Sequence, residues 1–281
     1  MGWPRGARAL LGMAGYGPGP DAVRRAVAGR LVVVTGASRG IGERLAIRLG
    51  SVGARVALLA RDAEALEVVA ARISARGGLA TTFPVDLRDV AAARAAAEAI
   101  LAAHGTPDVV VSNAGHSIRR RLPEYVDRFH DVRRLMGVNA LGPIALALPL
   151  LREMTAAGSG HLVSVASAGV DVPSPGFSAY SASKAAFEAW LRAVAPELAA
   201  HGVAVTSVHL PLVHTAMSAP TRAYAHAPGM TADEAASLLC RAITERPRLI
   251  SPWWARLGGV LSAAAPRLAD RAFQVAEPWL P

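Results

Sequence analysis

The chain has 281 residues, of which 52% are apolar, and a formal net charge of +9. A chain of this length and apolar content can bury one sizeable core, and α/β proteins of this size commonly form one domain. The single cysteine, Cys240, excludes an intrachain disulfide and fits a reducing compartment. Because the arginines are scattered among acidic residues and aromatic residues are few, nucleic-acid binding is not expected.

The N-terminal stretch, residues 1–28, is rich in Gly, Pro and Arg, which predicts an extension with one short helix near residues 21–27. The first 16 residues contain no apolar core of secretory length, and the chain contains no uninterrupted run of about 18 apolar residues. We therefore expect a cytoplasmic protein without a membrane-spanning helix.

The first strong signal is a continuous apolar run over residues 31–34, typical of a strand buried on both faces of a parallel sheet. A glycine-rich stretch follows, and then a helical pattern through Leu49. Glycines at a strand-to-helix turn let the backbone approach a pyrophosphate, whose charge is met by free amides at the helix N-terminus. The spacing G-x-x-x-G-x-G is weak evidence alone, and its position between strand and helix strengthens it. The predicted cofactor-binding residues of this turn are Gly36, Ser38, Arg39, Gly40, Ile41 and Gly42.

The second predicted strand covers residues 55–59 and leads into Ala60 and Arg61. In dinucleotide-binding folds an acidic residue near this position binds the ribose 2′-hydroxyl, whereas arginine suits a 2′-phosphate. Ala60 stands where the acidic residue is expected, and Arg61 follows it. Together with Arg39 this favours NADP over NAD. The simpler alternative is that both arginines only cap solvated helix ends.

Helices and strands alternate through the rest of the chain. Strands are predicted at residues 81–85, 109–112, 161–166, 203–210 and 249–250, and helices at 64–76, 90–104 and 125–154. This alternation predicts an α/β fold, a Rossmann-like doubly wound parallel sheet of about seven strands with helices on both faces. Ligands bind such sheets outside the carboxyl ends of the strands. The residues expected at this crevice are Asp86, Leu87, Asn113, Ala114, Gly115, Ser167, Pro211, Val213 and Thr215.

Asn139 lies in the middle of the long helical pattern, where its side chain competes for backbone hydrogen bonds. A bend at this point would free backbone groups and point the amide at the crevice. The alternative is a solvated asparagine on an exposed helix face.

Tyr180 and Lys184 lie four residues apart in a helix predicted to open at residue 179, so they share one helix face. Lys184 is the only lysine of the chain. A neighbouring ammonium lowers the pKa of a tyrosine from about 10, which makes the hydroxyl usable as an acid or base near neutral pH. The alternative is one ordinary aromatic residue and one ordinary cation.

The last part of the chain is less regular. Residues 216–230 have no clear period and are typical of a lid, and Thr231 with Glu234 predicts a capping box. The amphipathic tail, residues 252–281, could pack on the domain, cover a pocket, form an oligomer contact or touch a membrane surface. The predicted organisation is an extension (1–28), a dinucleotide-binding catalytic domain (29–250) and the tail (251–281). No spacing of His, Cys and carboxylates predicts a metal site.

Over residues 28–250 the chain resembles the short-chain dehydrogenase/reductase family. The motifs that carry this resemblance are the glycine-rich turn at residues 35–42, Asp86, Asn113-Ala114-Gly115, Asn139, Ser167 and Tyr180-xxx-Lys184. The resemblance implies that Tyr180 protonates the carbonyl oxygen during reduction and that Ser167 hydrogen-bonds this oxygen. It also implies that Lys184 lowers the pKa of Tyr180 and holds the nicotinamide ribose.

The same resemblance implies that Asn139 anchors a water molecule of the proton relay, that Asp86 faces the adenine and that Asn113 and its neighbours support the cofactor cleft. Many members carry Pro-Gly after the sixth strand, whereas this chain has Pro211-Leu212, a change at the local nicotinamide contact. Residues 128–131, 177–180 and 211–217 resemble a bacterial subgroup of fatty acyl-CoA or fatty aldehyde reductases.

These observations predict an NADPH-dependent oxidoreductase that reduces a carbonyl of an apolar substrate, such as a fatty acyl compound or aldehyde. The alternatives are a 3-oxoacyl thioester, a steroid or another hydroxy/keto substrate, and a non-catalytic NADP-sensing protein. The expected partners are the small-molecule substrate, further copies of the chain in a homodimer or homotetramer, and a membrane surface that the tail contacts.

Overall fold

The structure of the protein is a computed structural model that describes residues 17–221, 224–225 and 227–276. The predictions for residues 1–16 and for the end of the tail, residues 277–281, lie outside the described residues.

Seven parallel strands form the central sheet in the order β3-β2-β1-β4-β5-β6-β9, which confirms the predicted doubly wound α/β fold. A separate parallel pair, β7 and β8, joins the two ends of the predicted lid. The strands are β1 Leu31–Thr35, β2 Arg55–Ala60, β3 Leu79–Pro84, β4 Val109–Ser112, β5 Gly160–Ser167, β6 Val203–Leu210, β7 Val213–His214, β8 Met230–Thr231 and β9 Leu249–Ile250.

Helices cover both faces of the sheet and create two cores. The helices are α1 Pro20–Val27, α2 Gly40–Ser51, α3 Ala63–Ser74, α4 Val90–His104, α5 Phe129–Met136, α6 Gly142–Ala156, α7 Ser178–Ala199, α8 Ala232–Glu245, α9 Trp253–Ala264 and α10 Pro266–Ala276. Successive side chains of a strand point to opposite faces, so Val32 and Val34 of β1 pack with α1, α2, α3 and α8. Leu31 and Val33 pack with α4, α6 and α7 on the other face.

Two predicted boundaries are wrong. The third strand begins at Leu79, two residues earlier than predicted, because at the sheet edge its residues are mostly exposed or half-buried and give little apolar signal. The long helix begins at Phe129 rather than at residue 125. Pro123 instead starts a short 3₁₀ turn, Leu122–Tyr125, and the chain reverses before α5.

The predicted bend at Asn139 is confirmed. Residues Gly137–Leu141 form a π-helical segment between α5 and α6, and Asn139 at its centre is 1% exposed. A π segment widens one helical turn and leaves backbone groups free at that point. The alternative of a solvated asparagine is therefore wrong.

The combined helix Phe129–Ala156 is long and apolar enough to cross a membrane by length and composition alone. The core helix of a soluble protein passes the same test, and 61% of the apolar window is buried inside this domain. Its α6 part packs against α4, and its α5 part packs against α7. The helix therefore serves as a core helix of the described domain.

The short helix predicted in the extension is confirmed as α1, whose Val23 and Val27 are buried in the core. The capping box of α8 is also confirmed. Thr231 Oγ1 accepts a hydrogen bond from Glu234 N at 3.2 Å, and Glu234 Oε2 accepts one from Thr231 N at 2.8 Å.

His161 of β5 gives the fold a pH dependence. Its ring is buried, its Nε2 lies 2.9 Å from Thr206 Oγ1, and burial, assisted by the charge of Arg246, lowers its pKa from 6.5 to about 4. The unfolded chain therefore binds a proton that the folded chain does not bind, and stability is lost as the pH falls from 6.5 to about 4. We expect His161→Gln to reduce this loss by about 1 kcal/mol per pH unit. Urea unfolding of the wild type and of His161→Gln from pH 7 to pH 4 measures this difference. An equal loss of unfolding free energy with falling pH in the two proteins would contradict the expectation.

Candidate active site

The glycine-rich turn lies between β1 and α2 at the carboxyl end of the sheet. Thr35 locks this turn to the end of β4, because its Oγ1 accepts hydrogen bonds from Asn113 N at 3.0 Å and Ala114 N at 2.9 Å. Asn113 Nδ2 donates in return to the carbonyl oxygen of Thr35 at 2.9 Å. A Cβ placed on Gly40 would lie 3.5 Å from Thr215 Cγ2. The structure thus brings together the turn, the end of β4 and the segment after β6.

The predicted adenine end of the crevice carries a carboxylate held by arginine. Asp86 Oδ1 accepts hydrogen bonds from Arg88 N and Nε, both at 3.0 Å, and these bonds with the nearby charge of Arg61 lower the pKa of Asp86. Arg39 lies 3.2 Å from Asp62, an ion pair at the surface. Sequence reasoning missed Arg88, although it stands two residues after the predicted Asp86.

The four predicted catalytic residues meet at the ends of β5 and α7. Ser167 is the last residue of β5 and hydrogen-bonds the hydroxyl of Tyr180, which lies in the first turn of α7. Lys184, one turn later, is buried and donates from Nζ to the carbonyl oxygen of Val165 at 2.9 Å. A Cβ on Gly115 would lie 3.0 Å from Asn139 Oδ1 and 3.1 Å from Lys184 Nζ, so only glycine leaves this space free.

Asn139 is fixed by three hydrogen bonds. Its Oδ1 accepts from His116 N at 2.9 Å, and its Nδ2 donates to His116 O and to Ser183 Oγ, each at 2.9 Å. Ser183 Oγ donates in turn to the carbonyl oxygen of Tyr180 at 2.7 Å. Sequence reasoning missed His116, which directly follows Asn113-Ala114-Gly115. The proposed role of Asn139 in a water relay stays a prediction.

The predicted lowering of the Tyr180 pKa by Lys184 is wrong for the protein on its own. Burial raises the pKa of Tyr180, and the hydrogen bond with Ser167 opposes this rise only in part. Lys184 Nζ donates to the Val165 carbonyl oxygen, and burial lowers the pKa of Lys184 to about 8 against the opposing charge of Glu188. Tyr180 therefore carries its proton at neutral pH, as an acid in a reduction requires.

Two aromatic rings stand beside Tyr180: Phe177, which belongs to the predicted subgroup motif, and Tyr224, which sequence reasoning missed. Phe177 packs edge-on against Tyr180, with ring centroids 6.2 Å apart, and stacks on Tyr224 at 6.0 Å. Tyr224 belongs to the predicted lid, so the lid forms with Phe177 an apolar wall beside Tyr180. The only signal for Tyr224 in the sequence was a tyrosine within the irregular residues 216–230.

Two predicted cofactor residues have packing roles in this structure. The side chains of Leu87 and Val213 pack into or against the two cores, and so support the crevice from behind. Leu212, which replaces the common glycine, accepts a hydrogen bond through its carbonyl oxygen from Met230 N at 2.8 Å and thereby ties down the lid. Pro211 lies directly after β6, half-buried at the same end of the sheet. Across residues 17–221, 224–225 and 227–276, no group of three or more His, Cys, Asp or Glu residues could hold a metal ion.

Comparison with known proteins agrees with this geometry. The family profile described as short chain dehydrogenase matches residues 30–225. A fatty acyl-CoA reductase of Acinetobacter baylyi is 42% identical over 243 residues, covering 86% of this chain and 82% of that protein. A fatty acyl-CoA reductase of Mycobacterium tuberculosis is 40% identical over 247 residues, covering 88% and 84%.

A solved structure shows the same fold. The crystal structure of a metagenomic short-chain oxidoreductase in complex with NADP superposes with a TM-score of 0.70 at 32% identity, covering 80% of this chain and 97% of that chain. The matched family profile spans the glycine-rich turn and the Ser167, Tyr180 and Lys184 cluster. The chain therefore belongs to the short-chain dehydrogenase/reductase family and is an NAD(P)-dependent oxidoreductase.

Proposed function

We propose that this protein uses NADPH to reduce the carbonyl group of a long-chain fatty acyl thioester or aldehyde. The observation that carries the proposal is the pair of hydroxyls of Ser167 and Tyr180, hydrogen-bonded to each other beside Lys184 at the crevice that begins at the glycine-rich turn. Two relatives at 40–42% identity that are named fatty acyl-CoA reductases support the acyl substrate.

The residues of the crevice fit NADPH. The N-terminus of α2 presents backbone amides where a pyrophosphate would lie, and Gly36 and Gly40 adopt the left-handed conformation, with φ of 67° and 61°. Arg39 and Arg61 supply positive charge for a 2′-phosphate, and Lys184 would hold the nicotinamide ribose. When bound, NADPH supplies the hydride that reduces the carbonyl carbon.

The side chains position the substrate and supply the proton. Ser167 Oγ and the Tyr180 hydroxyl both donate to the substrate carbonyl oxygen, and Tyr180 transfers its proton to this oxygen as the carbon is reduced. With an aldehyde the product is the alcohol. With an acyl thioester the adduct then collapses: the carbon–sulfur bond breaks, the hydroxyl proton passes to the leaving sulfur, and the aldehyde and the free thiol leave. The phenolate that Tyr180 becomes takes up a proton again before the next turnover.

The apolar wall of Phe177 and Tyr224 supports a long-chain substrate. We therefore expect palmitoyl-CoA or hexadecanal to have a kcat/KM at least about tenfold above that of the four-carbon homologue, because each buried methylene contributes about 0.8 kcal/mol. The same assay with a 3-oxoacyl thioester and a steroid ketone compares the alternative substrate classes. Equal rates for short and long chains, or a higher rate with the steroid, would contradict the acyl assignment.

The preference for NADPH is tested by removing the two arginines. We expect the double substitution Arg39→Ala/Arg61→Ala to raise the KM for NADPH about tenfold to a hundredfold, because a hydrogen bond to a charged group contributes about 1.5–3 kcal/mol. The KM for NADH should stay unchanged. Arg76→Ala, at an exposed arginine in the turn after α3, is the control. A similar rise in the KM for NADPH and for NADH would show that the two arginines do not recognise the 2′-phosphate.

We also propose that α9 rests on an anionic membrane surface. Small residues of α9 face the domain: Ala255 is buried, and a Cβ on Gly258 or Gly259 would lie 2.7 Å from Val172 Cγ1 or 2.6 Å from the carbonyl oxygen of Asp171. The large apolar residues of α9 point outward, which reverses the usual pattern of a surface helix. They are Trp253, Leu257, Val260 and Leu261, each more than half exposed.

Charge favours a lipid surface as the occupant of this outward face. Arg267 and Arg271 on α10 are exposed, and the whole chain carries +9. We expect Leu257→Ser/Val260→Ser to lower binding to vesicles containing phosphatidylserine at least about tenfold, because each side chain loses about 1.5–3 kcal/mol of apolar burial. Val68→Ser, at an exposed valine of α3, is the control. If Leu257→Ser/Val260→Ser changes only the oligomeric state, measured by sedimentation, and not vesicle binding, the outward face of α9 contacts a second copy of the chain instead. The predicted homo-oligomer and cytoplasmic location stay predictions.

A further inference from the structure

A charged network without a part in the chemistry above lies beneath the catalytic helix. His209 of β6 is buried, and its Nδ1 lies 2.8 Å from Asp171 Oδ2 while its Nε2 lies 3.3 Å from Glu188 Oε2. A neutral imidazole has one N–H and can donate to only one of these carboxylates, whereas an imidazolium donates to both. We call these three side chains the charged bridge.

One end of the charged bridge reaches α7 and β5. Glu188 lies one helical turn after Lys184, and its Oε1 accepts a hydrogen bond from Ser164 Oγ at 2.7 Å. Lys184 binds the carbonyl oxygen of the next residue, Val165. The two side chains of α7 therefore hold adjacent residues of β5, two and three positions before Ser167. A shift of Glu188 would move both Lys184 and the end of β5.

The other end of the charged bridge reaches the turn after Ser167. Residues Ala168–Val170 form a short 3₁₀ turn in which Ser167 Oγ accepts a hydrogen bond from Gly169 N at 3.1 Å, and Asp171 directly follows this turn. Ser251 Oγ, at the start of the tail, donates to Asp171 Oδ2 at 2.8 Å. Asp171 is thus held from both β6 and the tail, and it fixes the far end of the turn that carries Ser167.

The surroundings keep the charged bridge ionised. Three cations face it: Lys184 from α7, Arg256 from α9, and Arg248, which is linked to Glu188 by way of Ser207. Burial alone would lower the pKa of His209, but its hydrogen bonds to Asp171 and Glu188 raise it from 6.5 to about 9. Burial alone would raise the pKa of each carboxyl, yet hydrogen bonds from His209 and its neighbours leave both values lowered.

We propose that His209 is a positioning residue for the reduction: as an imidazolium it joins Asp171 to Glu188 and so holds Ser167 and Lys184 at their places around the substrate carbonyl. This role rests on the proposed reductase function. Because the folded pKa of His209 lies above its unfolded value, the contribution of the bridge is complete below pH 6.5 and is lost as the pH rises toward about 9.

The charge of the bridge is tested without any substrate by an NMR titration of histidine-labelled protein from pH 5 to pH 10. In the wild type we expect one histidine to stay protonated above pH 8. The signal of this histidine should be absent from the spectrum of His209→Gln. In Glu188→Gln its midpoint should move toward neutral pH, because one carboxylate partner is gone. His161→Gln is the matched control, since His161 is a buried histidine at the opposite end of β5.

The positioning role is tested by kinetics on the same proteins. We expect His209→Gln and Glu188→Gln to lower kcat about tenfold to a hundredfold, the effect of a small misplacement of catalytic groups, with NADPH binding unchanged. His161→Gln should change thermal stability and leave kcat alone. A His209 that titrates near 6.5, or bridge variants that lower only the melting temperature, would overturn the inference. Wild type that reduces none of the carbonyl substrates would instead refute the proposed function, and the NMR titration would still decide the charge of the bridge.

Discussion

Replacing Tyr180 by phenylalanine is expected to lower kcat at least about a hundredfold, the usual contribution of a positioned acid. The substitution removes the hydroxyl that hydrogen-bonds Ser167 and that would protonate the substrate oxygen. The ring contact with Phe177 and the helical position in α7 remain, so the fold and NADPH binding should be unchanged. Steady-state turnover and NADPH fluorescence titration measure the two effects separately.

Tyr125→Phe is the matched control for this substitution. The hydroxyl of Tyr125 is buried without a hydrogen-bond partner among the described residues, so its loss should leave kcat unchanged and stability equal or slightly higher. Turnover by Tyr180→Phe at the wild-type rate would contradict the role of Tyr180 as the acid. A loss of activity in both variants would instead point to structural damage caused by removing a buried tyrosine hydroxyl.

Gly42→Ala is expected to weaken NADPH binding about a hundredfold, because a displacement of about 1 Å can cost that much in a positioned site. A Cβ at this position would lie 2.3 Å from the carbonyl oxygen of Gly36 and 2.7 Å from Asn113 Nδ2. Asn113 is hydrogen-bonded to Thr35 through its backbone N and Nδ2, and its Nδ2 also donates to the carbonyl oxygen of Gly36 at 3.4 Å, so these bonds hold both neighbours in place. The methyl group must therefore push the N-terminus of α2 away from β1, which also costs about 1–3 kcal/mol of stability.

Gly19→Ala separates this effect from the general cost of replacing a glycine. Gly19 caps α1 with φ of −62°, and a Cβ there would meet nothing within 4 Å. We expect its NADPH dissociation constant, measured by isothermal titration calorimetry, to equal that of the wild type. Gly42→Ala binding NADPH as tightly as the wild type would show that the turn does not hold the pyrophosphate.

The sequence allowed the sheet and the positions of the catalytic residues to be predicted because both depend on local patterns. β1 has a continuous apolar run and β5 and β6 are rich in valine, and each polar residue after a strand falls at the same edge once the strands are parallel. Asn139 was recognisable since a polar amide within an apolar helix conflicts with helix preference. Edge strand β3 and the start of α5 were misplaced because exposure and one proline weaken these patterns.

Features built from distant parts of the chain could not be predicted in this way. The charged bridge joins Asp171, Glu188 and His209, which share no motif and meet only when β6, α7 and the turn after β5 pack together. The pKa of Tyr180 depends first on burial, which does not follow from a spacing of four residues. The outward apolar face of α9 likewise depends on which side its glycines present to the domain.

The proposed reaction is hydride transfer from NADPH to a long-chain acyl carbonyl carbon with proton donation by Tyr180. The most direct measurement supplies NADPH deuterated at the transferable position of the nicotinamide, together with palmitoyl-CoA or hexadecanal, and determines the deuterium content of the product by mass spectrometry. We predict one deuterium on the former carbonyl carbon for each NADPH consumed by the wild type, and almost no product from Tyr180→Phe. Deuterated product formed equally fast by Tyr180→Phe, or tight NADPH binding by the wild type without any labelled product, would contradict the account.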